Sequence, residues 1–444
     1  MSNNFIFTPN NNCEYPIYTS ACVGNNGNPN ILYYAEGFAS AANHLIEISL
    51  KCLGEFPPDI AVYPICFNMR HSVELYLKGY ISFVEELATI KKIKIGLTID
   101  IMKAHDLNKI WKYLTTNHAI LDKRLINEAN QISPYIKCFG DIDATGQTFR
   151  YPYDNENNKH LTKQSIINIM HLGKNFKELK EKLNIFYYFH EHIIEEYKTR
   201  SFTKNLSRYD LKNIAQELPQ YYLWKKPETS FDAKFNDLTQ KYQISRNELS
   251  KAINIIKNHY EFGYFIGIVP PLIDFSEDEF YFFIDKWYQV NNLDYIYNNS
   301  GSFIIDSLDL ADTNEENIKN VSSKLNEGLE KKVKIGEISN ELVNSVKVGT
   351  IINIHTLYYF SRECTYSEEY SQSYLYYEED CKRAIKKSIN HMLHKTILLP
   401  ELVISLLRLS QKKIAFNLME KYALKNYIKK QLESRKINIP IILE

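Results

Sequence analysis

One helical segment of the sequence places charged side chains where they could carry out acid–base chemistry. In the run FNMRHSVELYLKGYI, Arg70, Glu74 and Lys78 recur every four residues. In a helix this spacing puts all three on one face. His71 stands next to Arg70 in the chain. The segment therefore combines a base, a carboxylate and two cations within three turns of a helix.

Two later segments carry the remaining candidate site residues. In AHDLNKIW, His105 and Asp106 stand where a helix is expected to begin. In TFRYPYD, Arg150 and Asp154 lie in a loop that precedes the longest predicted helix. We take the eight residues of the three segments together as a candidate catalytic site.

Histidine and arginine in such a cluster are suitable groups for acid–base catalysis and for stabilising a developing negative charge. If the residues form such a site, replacing Arg70, His105 or Arg150 with alanine is expected to reduce function and to leave the melting temperature nearly unchanged.

Each segment also has a structural interpretation. Arg70, Glu74 and Lys78 would form a charge ladder on a solvated face, worth about 0.3–0.5 kcal/mol per pair. His105 and Asp106 would mark only a helix start with a favourable N-terminal charge. Arg150 would fix its loop by binding carbonyl oxygens or Asp154.

The elements that position these residues are predicted to be helices. Small and apolar residues recur three and four positions apart, and the sequence predicts an antiparallel bundle of five helices, over residues 33–55, 61–86, 103–114, 123–140 and 161–197. Pro134 is expected to weaken the fourth helix. Gly, Asp, Asn and Pro predict a loop over residues 141–158.

Three short runs in this region resemble the HEPN superfamily in their order and spacing. They are ELYLKG (74–79), HDL (105–107) and RYP (150–152). The resemblance covers about residues 33–197. It implies a helical bundle that usually dimerises. Many members are metal-independent ribonucleases of toxin–antitoxin and phage-defence systems, whereas others bind nucleotides or are non-catalytic modules. RNA cleavage without a metal ion needs a base for the proton of the ribose 2′-hydroxyl, an acid for the leaving oxygen and a cation for the charge on the phosphorane, and histidine and arginine are suitable groups.

The catalytic pattern of the superfamily is an arginine followed after four to six residues by a histidine, and this chain lacks it. Arg70 and His71 are adjacent, and nine residues separate Arg150 from His160. The clustered charges favour a ribonuclease or RNA-directed effector, and the resemblance implies a role in bacterial antiphage defence. The missing spacing favours the alternative, a non-catalytic HEPN-like module that senses a ligand or binds a partner.

Composition limits the remaining classes of protein. The chain of 444 residues has 53 basic and 53 acidic side chains, so two or three domains are expected and no global charge favours nucleic acid or a membrane. Seven scattered cysteines are typical of reduced thiols in a cytoplasm. The N-terminus lacks the features of a signal peptide. The longest apolar stretch, residues 396–409, carries Pro400, Glu401 and Arg408 and predicts a buried helix. We expect a cytoplasmic protein with no metal, cofactor or membrane contact.

The expected fold class is mainly α, and the chain is expected to divide into four regions. These are an irregular segment over residues 1–30, the HEPN-like bundle over 31–200, a helical middle region over 201–275 and a mostly helical C-terminal region over 276–444. A few short strands are conceivable at residues 302–306 and 350–355. The bundle is expected to form a homodimer, with RNA a conceivable partner and the C-terminal region open to a protein partner.

The middle region begins two helices in the same way. Ser207 with Asp210, and Ser245 with Glu248, have the spacing of a capping box, and Ser276 with Glu279 repeats it later. The similarity is explained by an internal repeat or by independent caps. A third functional hypothesis treats residues 206–265 as a helix-turn-helix DNA binder.

Three other segments have a functional and a structural interpretation. The run FHEHIIEEY (189–197) contains possible metal ligands, but two of its histidines, His190 and His192, point to different sides of a helix. The tyrosine-rich run 358–380 is acidic, and it would stack bases, contact another protein or form core. The basic run 411–436 would contact phosphates or form a solvated amphipathic helix.

Overall fold

A computed structural model of the chain shows 17 α-helices and no β-strand among its described residues. The described residues are 16–27, 29–51, 54–96, 98–154, 156–226, 231–291, 293 and 315–437. The mainly α fold is therefore confirmed. The chain divides into two compact units, Met1–Lys198 and Thr199–Glu444. The middle and C-terminal regions expected from the sequence lie in the same unit.

Six helices form the described part of the N-terminal unit. They are α1 (Ile31–Lys51), α2 (Pro58–Lys91), α3 (Thr98–Met102), α4 (Leu107–Leu121), α5 (Arg124–Asp143) and α6 (Ile169–Lys198). Before them, two short 3-10 turns, Ile17–Thr19 and Gly24–Asn26, are the only regular structure within residues 16–27. The bundle thus contains the five helices expected and a short additional one, α3.

The first two helices pack closely because α1 buries small side chains. Ala35, Ala39 and Ala42 are fully buried, and the backbone carbonyl of Ala35 accepts a 2.7 Å hydrogen bond from the Ser72 hydroxyl on α2. Small residues let two helix backbones approach, because no side chain separates them. This contact fixes α2, the helix that carries Arg70, His71, Glu74 and Lys78.

The sixth helix begins later than the sequence predicted, so the start at residue 161 is wrong. Leu161 has a φ of 56°, outside the helical region. The Asn168 side chain accepts a 2.9 Å hydrogen bond from the His171 backbone N–H, as an N-terminal cap does. By contrast, α5 continues through Pro134. The cap, rather than the apolar periodicity, decides where α6 starts.

Eleven helices form the described part of the C-terminal unit. They are α7 (Arg208–Glu217), α8 (Phe231–Tyr242), α9 (Arg246–Lys257), α10 (Glu277–Tyr288), α11 (Glu315–Ser345), α12 (Val348–Glu363), α13 (Glu369–Arg383), α14 (Ile385–Leu393), α15 (Leu398–Arg408), α16 (Lys412–Lys421) and α17 (Lys425–Ser434). Two 3-10 turns, Tyr221–Leu223 and Gly263–Ile266, lie between them.

This unit contains two large apolar clusters. One joins α7, α8 and α9 and extends from Leu206 to Ile266. The other extends from Leu272 to Leu432 and includes α15, in which Leu398 to Leu407 are all buried. The prediction of a buried helix over residues 396–409 is confirmed.

The prediction of a possible strand at residues 350–355 is wrong, because these residues lie in α12. That helix is buried on nearly all sides, and the packing around it overrides the preference of its isoleucines for strands. The other possible strand, at residues 302–306, lies outside the described residues. The basic run 411–436 forms two helices, because Ala423 has a φ of 50° between α16 and α17.

Of the three predicted capping boxes, one is complete. Ser207 and Asp210 satisfy each other's backbone N–H groups at the start of α7. Ser245 and Ser276 cap their helices, but their acidic partners are bound elsewhere. The Glu248 carboxylate accepts a 2.7 Å bond from the Thr203 hydroxyl instead. Glu279 accepts hydrogen bonds from the Lys347 backbone N–H and the Thr350 hydroxyl, at the start of α12. Both acids therefore bind other segments of the chain, and the same sequence signature has two structural uses.

No helix in the described ranges is both long enough and apolar enough to cross a membrane.

Candidate functional site

Arg70 lies inside the N-terminal bundle and is only 2% exposed. Its guanidinium donates a bond to the Glu74 carboxylate and one to the His105 carbonyl oxygen. It also donates to the carbonyl oxygens of Asp143, at 3.2 Å, and Ala144, at 2.9 Å. Four of the five N–H groups of an arginine are thereby used. Arg70 joins α2 to the start of α4 and the end of α5, and it cannot bind a phosphate as it stands.

Glu74 contacts the other two polar side chains of the cluster, Lys78 and His105. Its Oε1 lies 2.7 Å from Lys78 Nζ and 2.9 Å from His105 Nδ1. Burial alone would raise the pKa of this carboxyl, but the hydrogen bonds from Lys78 and Arg70 outweigh burial and lower its pKa below 4.5. Glu74 is therefore an ionised carboxylate that is 3% exposed.

His105 is the member of this group that reaches the surface. Its side chain is 68% exposed, against 4% for that of Glu74. A carboxylate that accepts Nδ1–H fixes the tautomer of an imidazole and leaves Nε2 as its basic nitrogen. The arrangement is that of an oriented acid–base group.

Asp106 has a separate, structural task. Its side chain accepts the backbone N–H groups of Asn108, at 2.9 Å, and Lys109, at 3.1 Å, and it is the N-cap of α4. The helix start expected at His105 and Asp106 is confirmed. Because both Asp106 Oδ1 bonds go to the backbone, this residue positions His105 and α4 rather than a ligand.

A glycine closes the cluster on the side of the following loop. Gly146 has a φ of +80°, and a Cβ at this position would lie 3.0 Å from the guanidinium carbon of Arg70. Both the backbone conformation and the space favour glycine here. This residue was not among the candidate site residues, because nothing in the local sequence DATGQ indicates that its glycine packs against Arg70.

A second group consists of His71 on α2 and the loop residue Arg150, which both contact Phe67 of α2. The His71 ring packs edge-on against Phe38, with centroids 4.4 Å apart, and stacks on Phe67 at 5.8 Å. The exposed Arg150 lies over the rings of Phe67, at 5.9 Å, and Tyr151, at 5.3 Å. Arg150 thus neither binds Asp154 nor joins the network of Arg70.

The two groups are close enough to share one electrostatic environment. Burial lowers the pKa of His71 most, the Glu74 charge opposes this, and the charges of Arg70, Lys78 and Arg150 lower it further. Arg150 therefore lies within electrostatic range of the same stretch of α2.

Asp154 is a loop residue without a role in either group. Its Oδ1 accepts the backbone N–H groups of Glu156, at 2.9 Å, and Asn158, at 2.8 Å. An isolated bridge between Tyr153 and Lys159 closes the same turn. The hydrogen bond from the Asn158 backbone is the main reason that the pKa of Asp154 is lowered. Its bonds are those of an Asx turn, which holds the loop together.

The structure therefore brings Arg70, Glu74, Lys78 and His105 together and separates Asp154 from them. The interpretation of a charge ladder on a solvated face is wrong, because Arg70 and Glu74 are both nearly inaccessible. Their network is buried by contacts with residues 31 to 74 positions away in the chain. Helical spacing alone could not predict those contacts.

Arg150 also lines a cleft of about 680 Å³ together with Lys159 and His160. The loop therefore brings Arg150 and His160 to the same cleft, although nine residues separate them in the sequence. The Nε2 atom of His160 is buried and has no hydrogen-bond partner. Because this nitrogen is sealed from solvent, Nε2 of His160 is not available to exchange protons with a substrate.

Two histidines that the sequence suggested for other roles are structural or solvated. His190 is buried, and its Nε2 lies 3.0 Å from that of His118; burial lowers the pKa of His190 to about 4. His192 is exposed on the opposite side of α6, as the sequence predicted. No group of three metal-ligating side chains occurs among the residues that the structure describes.

No family model, curated protein or solved structure matches this chain. The geometry of the sites is therefore the basis for a functional assignment.

Proposed function

We propose that the N-terminal unit is a metal-independent ribonuclease of the HEPN kind, in which Glu74 orients His105 as the acid–base group. The observation that carries this proposal is the 2.9 Å contact between His105 Nδ1 and a buried carboxylate, on an imidazole that is 68% exposed. A nucleophile or base is activated when a third group orients it, and the Glu74 carboxylate supplies that orientation.

In the proposed reaction, Nε2 of His105 removes the proton of a ribose 2′-hydroxyl, and the 2′-oxygen attacks the adjacent phosphorus. The bond between phosphorus and the 5′-oxygen breaks, the 5′-oxygen takes up a proton from water, and His105 then releases its proton to solvent. The products are a 2′,3′-cyclic phosphate and a 5′-hydroxyl end. Arg150, exposed beside Phe67, is the cation we assign to the charge of the phosphorane.

The decisive experiment compares His105→Ala with His44→Ala in the full chain. Both histidines are exposed and lie near a glutamate, but His44 Nδ1 is 3.9 Å from Glu47, too far for a hydrogen bond. We expect the parent and His44→Ala to cut cellular RNA with EDTA present and to leave cyclic phosphate ends, and His105→Ala to lose at least about 100-fold in rate. Equal cleavage by His105→Ala, or complete loss in EDTA, would refute the mechanism.

A homodimer through the N-terminal unit is part of this proposal. The resemblance to HEPN proteins implies it, and exposed apolar residues are available for an interface. Tyr63, Tyr151 and Ile166 are 48%, 54% and 80% exposed and line the same cleft as Arg150. We expect light scattering at tens of micromolar, roughly usual working concentrations, to give a dimer, and Ile166→Asp to give a monomer. Ile120→Asp, at a position 55% exposed, is the control.

The proposed biological role is that of an effector of bacterial antiphage defence or of a toxin. It rests on the resemblance and on the proposed activity together. Expression of the parent in a bacterial host is expected to inhibit growth or to reduce plaque formation, and His105→Ala to do neither. Equal effects of parent and variant would separate any cellular role from the Glu74–His105 pair.

A non-catalytic HEPN-like module is the second candidate, and the closed environment of Arg70 favours it. A cation whose donors are used by one carboxylate and three carbonyls holds helices in place and contributes nothing to a phosphate site. This candidate predicts a dimer that binds RNA or another ligand without cutting it. Intact RNA after prolonged incubation with the parent protein would decide in its favour.

DNA binding by residues 206–265 remains a third hypothesis. Three residues, 243–245, connect α8 to α9, and Gln243 has a φ of 53°, which is compatible with a tight helix-turn-helix connection. The exposed side of α9 carries Arg246 and Lys251. Fluorescence anisotropy with duplex DNA tests the hypothesis: replacing both cations with alanine would weaken binding at low salt if α9 contacts phosphates.

A further inference from the structure

The C-terminal unit contains a cavity of about 560 Å³ whose walls are strongly basic. Six cations and a single carboxylate, Glu261, line it. The six are Arg208, Arg362, Arg408, Lys412, Arg435 and Lys436. They come from sequence positions more than 200 residues apart, in a chain with no net charge. The local excess of positive charge is therefore produced by the fold.

Two of the arginines are fixed by carboxylates that do not line the cavity. Arg208 donates to the Glu368 carboxylate from Nε, at 2.8 Å, and from Nη2, at 3.0 Å. Arg435 donates to both oxygens of the buried Glu401, at 2.8 and 2.6 Å. Bidentate contacts fix the plane of a guanidinium. These two side chains form rigid walls of the cavity.

Arg408 is held differently, by main-chain carbonyls alone. Its Nη2 lies 2.8 Å from the Cys364 oxygen and 2.9 Å from the Thr365 oxygen, and its Nη1 lies 3.1 Å from the Phe360 oxygen. None of these acceptors is charged. Burial lowers the pKa of Arg408, but an arginine stays protonated in a protein. The charge of Arg408 therefore acts on the cavity without a bound carboxylate to compensate it.

Arg362 and Lys436 are exposed at the mouth of the cavity. Arg362 donates a 2.6 Å hydrogen bond to the hydroxyl of Tyr358, which is a neutral acceptor. Lys412, deeper in the wall, lies 3.6 Å from the centroid of the Tyr264 ring. Aromatic rings thus border the cations and exclude part of the water that would screen them.

We propose that this cavity binds a phosphorylated small molecule of about the size of a nucleotide. Its volume lies within the range of roughly 300–1,000 Å³ that small-molecule sites occupy. Arginine and lysine together are the side chains that proteins use for phosphate, since arginine binds two oxygens at once and lysine adds charge. In this proposal, Arg408, Arg362 and Lys436 contact the phosphate groups. Arg208 and Arg435, which are fixed by their carboxylates, form the walls that set where the phosphate groups lie.

Calorimetry with the full chain tests the proposal. ATP, AMP, tripolyphosphate, adenosine and a short single-stranded RNA are titrated separately at low salt. We expect ATP and tripolyphosphate to bind, AMP to bind more weakly and adenosine not to bind, and affinity for ATP to fall as salt rises. Adenosine binding as tightly as ATP, no binding of any phosphate compound, or binding of RNA without binding of the mononucleotides would overturn it.

Matched variants locate the site. Arg362→Gln and Lys436→Gln are each expected to weaken ATP binding at least about tenfold, equal to about 1.4 kcal/mol. Lys413→Gln is the control, because Lys413 is 82% exposed, follows Lys412 in the chain and does not line the cavity. We expect it to bind as the parent does. An equal loss in Lys413→Gln would show that only general charge attracts the ligand, and thermal melting establishes that each variant is folded.

Discussion

Arg70 in the N-terminal unit and Arg408 in the C-terminal unit both donate hydrogen bonds to main-chain carbonyl oxygens. Arg70 also donates a hydrogen bond to an ionised carboxylate, Glu74, and its side chain is buried. Arg408 has only neutral acceptors among its contacts and lines an open cavity. A buried cation that is compensated by a carboxylate stabilises the fold, whereas a cation without this compensation, beside other cations, attracts an anionic ligand.

Replacing each arginine with methionine is the strongest test of this difference. Arg70→Met leaves Glu74 buried with only Lys78 and His105 as partners, and we expect it to lower the free energy of unfolding by about 3 kcal/mol or more. Arg408→Met removes no partner of a carboxylate, and about 1–2 kcal/mol is expected for its three carbonyl acceptors. Urea unfolding at pH 7 measures both. Equal losses would contradict the comparison.

Substitution of Gly146 tests the closed packing around Arg70. Gly146→Ala adds a Cβ 3.0 Å from the guanidinium at a φ of +80°, and we expect a loss of about 1–3 kcal/mol. Gly336→Ala is the matched control, since Gly336 lies in α11 with no atom within 4 Å of a new Cβ. That change is expected to stabilise the protein by up to ~1 kcal/mol. A Gly146→Ala protein as stable as the parent would mean that the loop does not cover Arg70 tightly.

The pH dependence of stability tests the ionised state of Glu74. Its pKa in the folded protein is lowered from 4.5. The stabilisation is therefore fully present above pH 4.5 and is lost as the pH falls through the folded pKa. Glu74→Gln is expected to be less stable at pH 7 and to lose less free energy than the parent on acidification. Urea unfolding between pH 7 and 3 measures this, and parallel profiles would show that Glu74 does not titrate as described.

His105→Ala should have the smallest effect on stability. The imidazole is 68% exposed, so we expect a loss below about 1 kcal/mol by urea unfolding. The exposed His105 is therefore expected to contribute less to the free energy of unfolding than the buried Arg70. A loss as large as that of Arg70→Met would make His105 a structural residue and would weaken the proposed catalytic role.

The structure changes one expectation about the three alanine variants. The sequence suggested that Arg70, His105 and Arg150 would all affect activity more than folding. Arg70 is buried at the junction of three helices, and a change there is now expected to affect folding first. His105 and Arg150 are exposed, so the original expectation stands for both of these residues.

The sequence alone determined the mainly α fold class and the five main helices of the N-terminal bundle, because apolar periodicity and caps are local features. It located α2, the cap at Asp106 and the buried helix α15 to within a few residues, whereas α4 extends to Leu121, beyond the predicted end at residue 114. It also identified four residues that share one cluster, because three of them recur every four positions along a helix. It misplaced the start of α6, since a side-chain cap at Asn168 and not the periodicity sets that end.

Only the tertiary structure decided which charged face is buried and which cations stand together. Periodicity shows that Arg70 and Glu74 lie on one side of α2, but not that α4, α5 and Gly146 cover that side. The basic cavity likewise joins Arg208 to Arg408 and Lys436. Hydrogen bonds and charge act through a few ångströms of space, whereas these residues are separated by tens to hundreds of positions in the chain. For this reason the local sequence could not predict their environment.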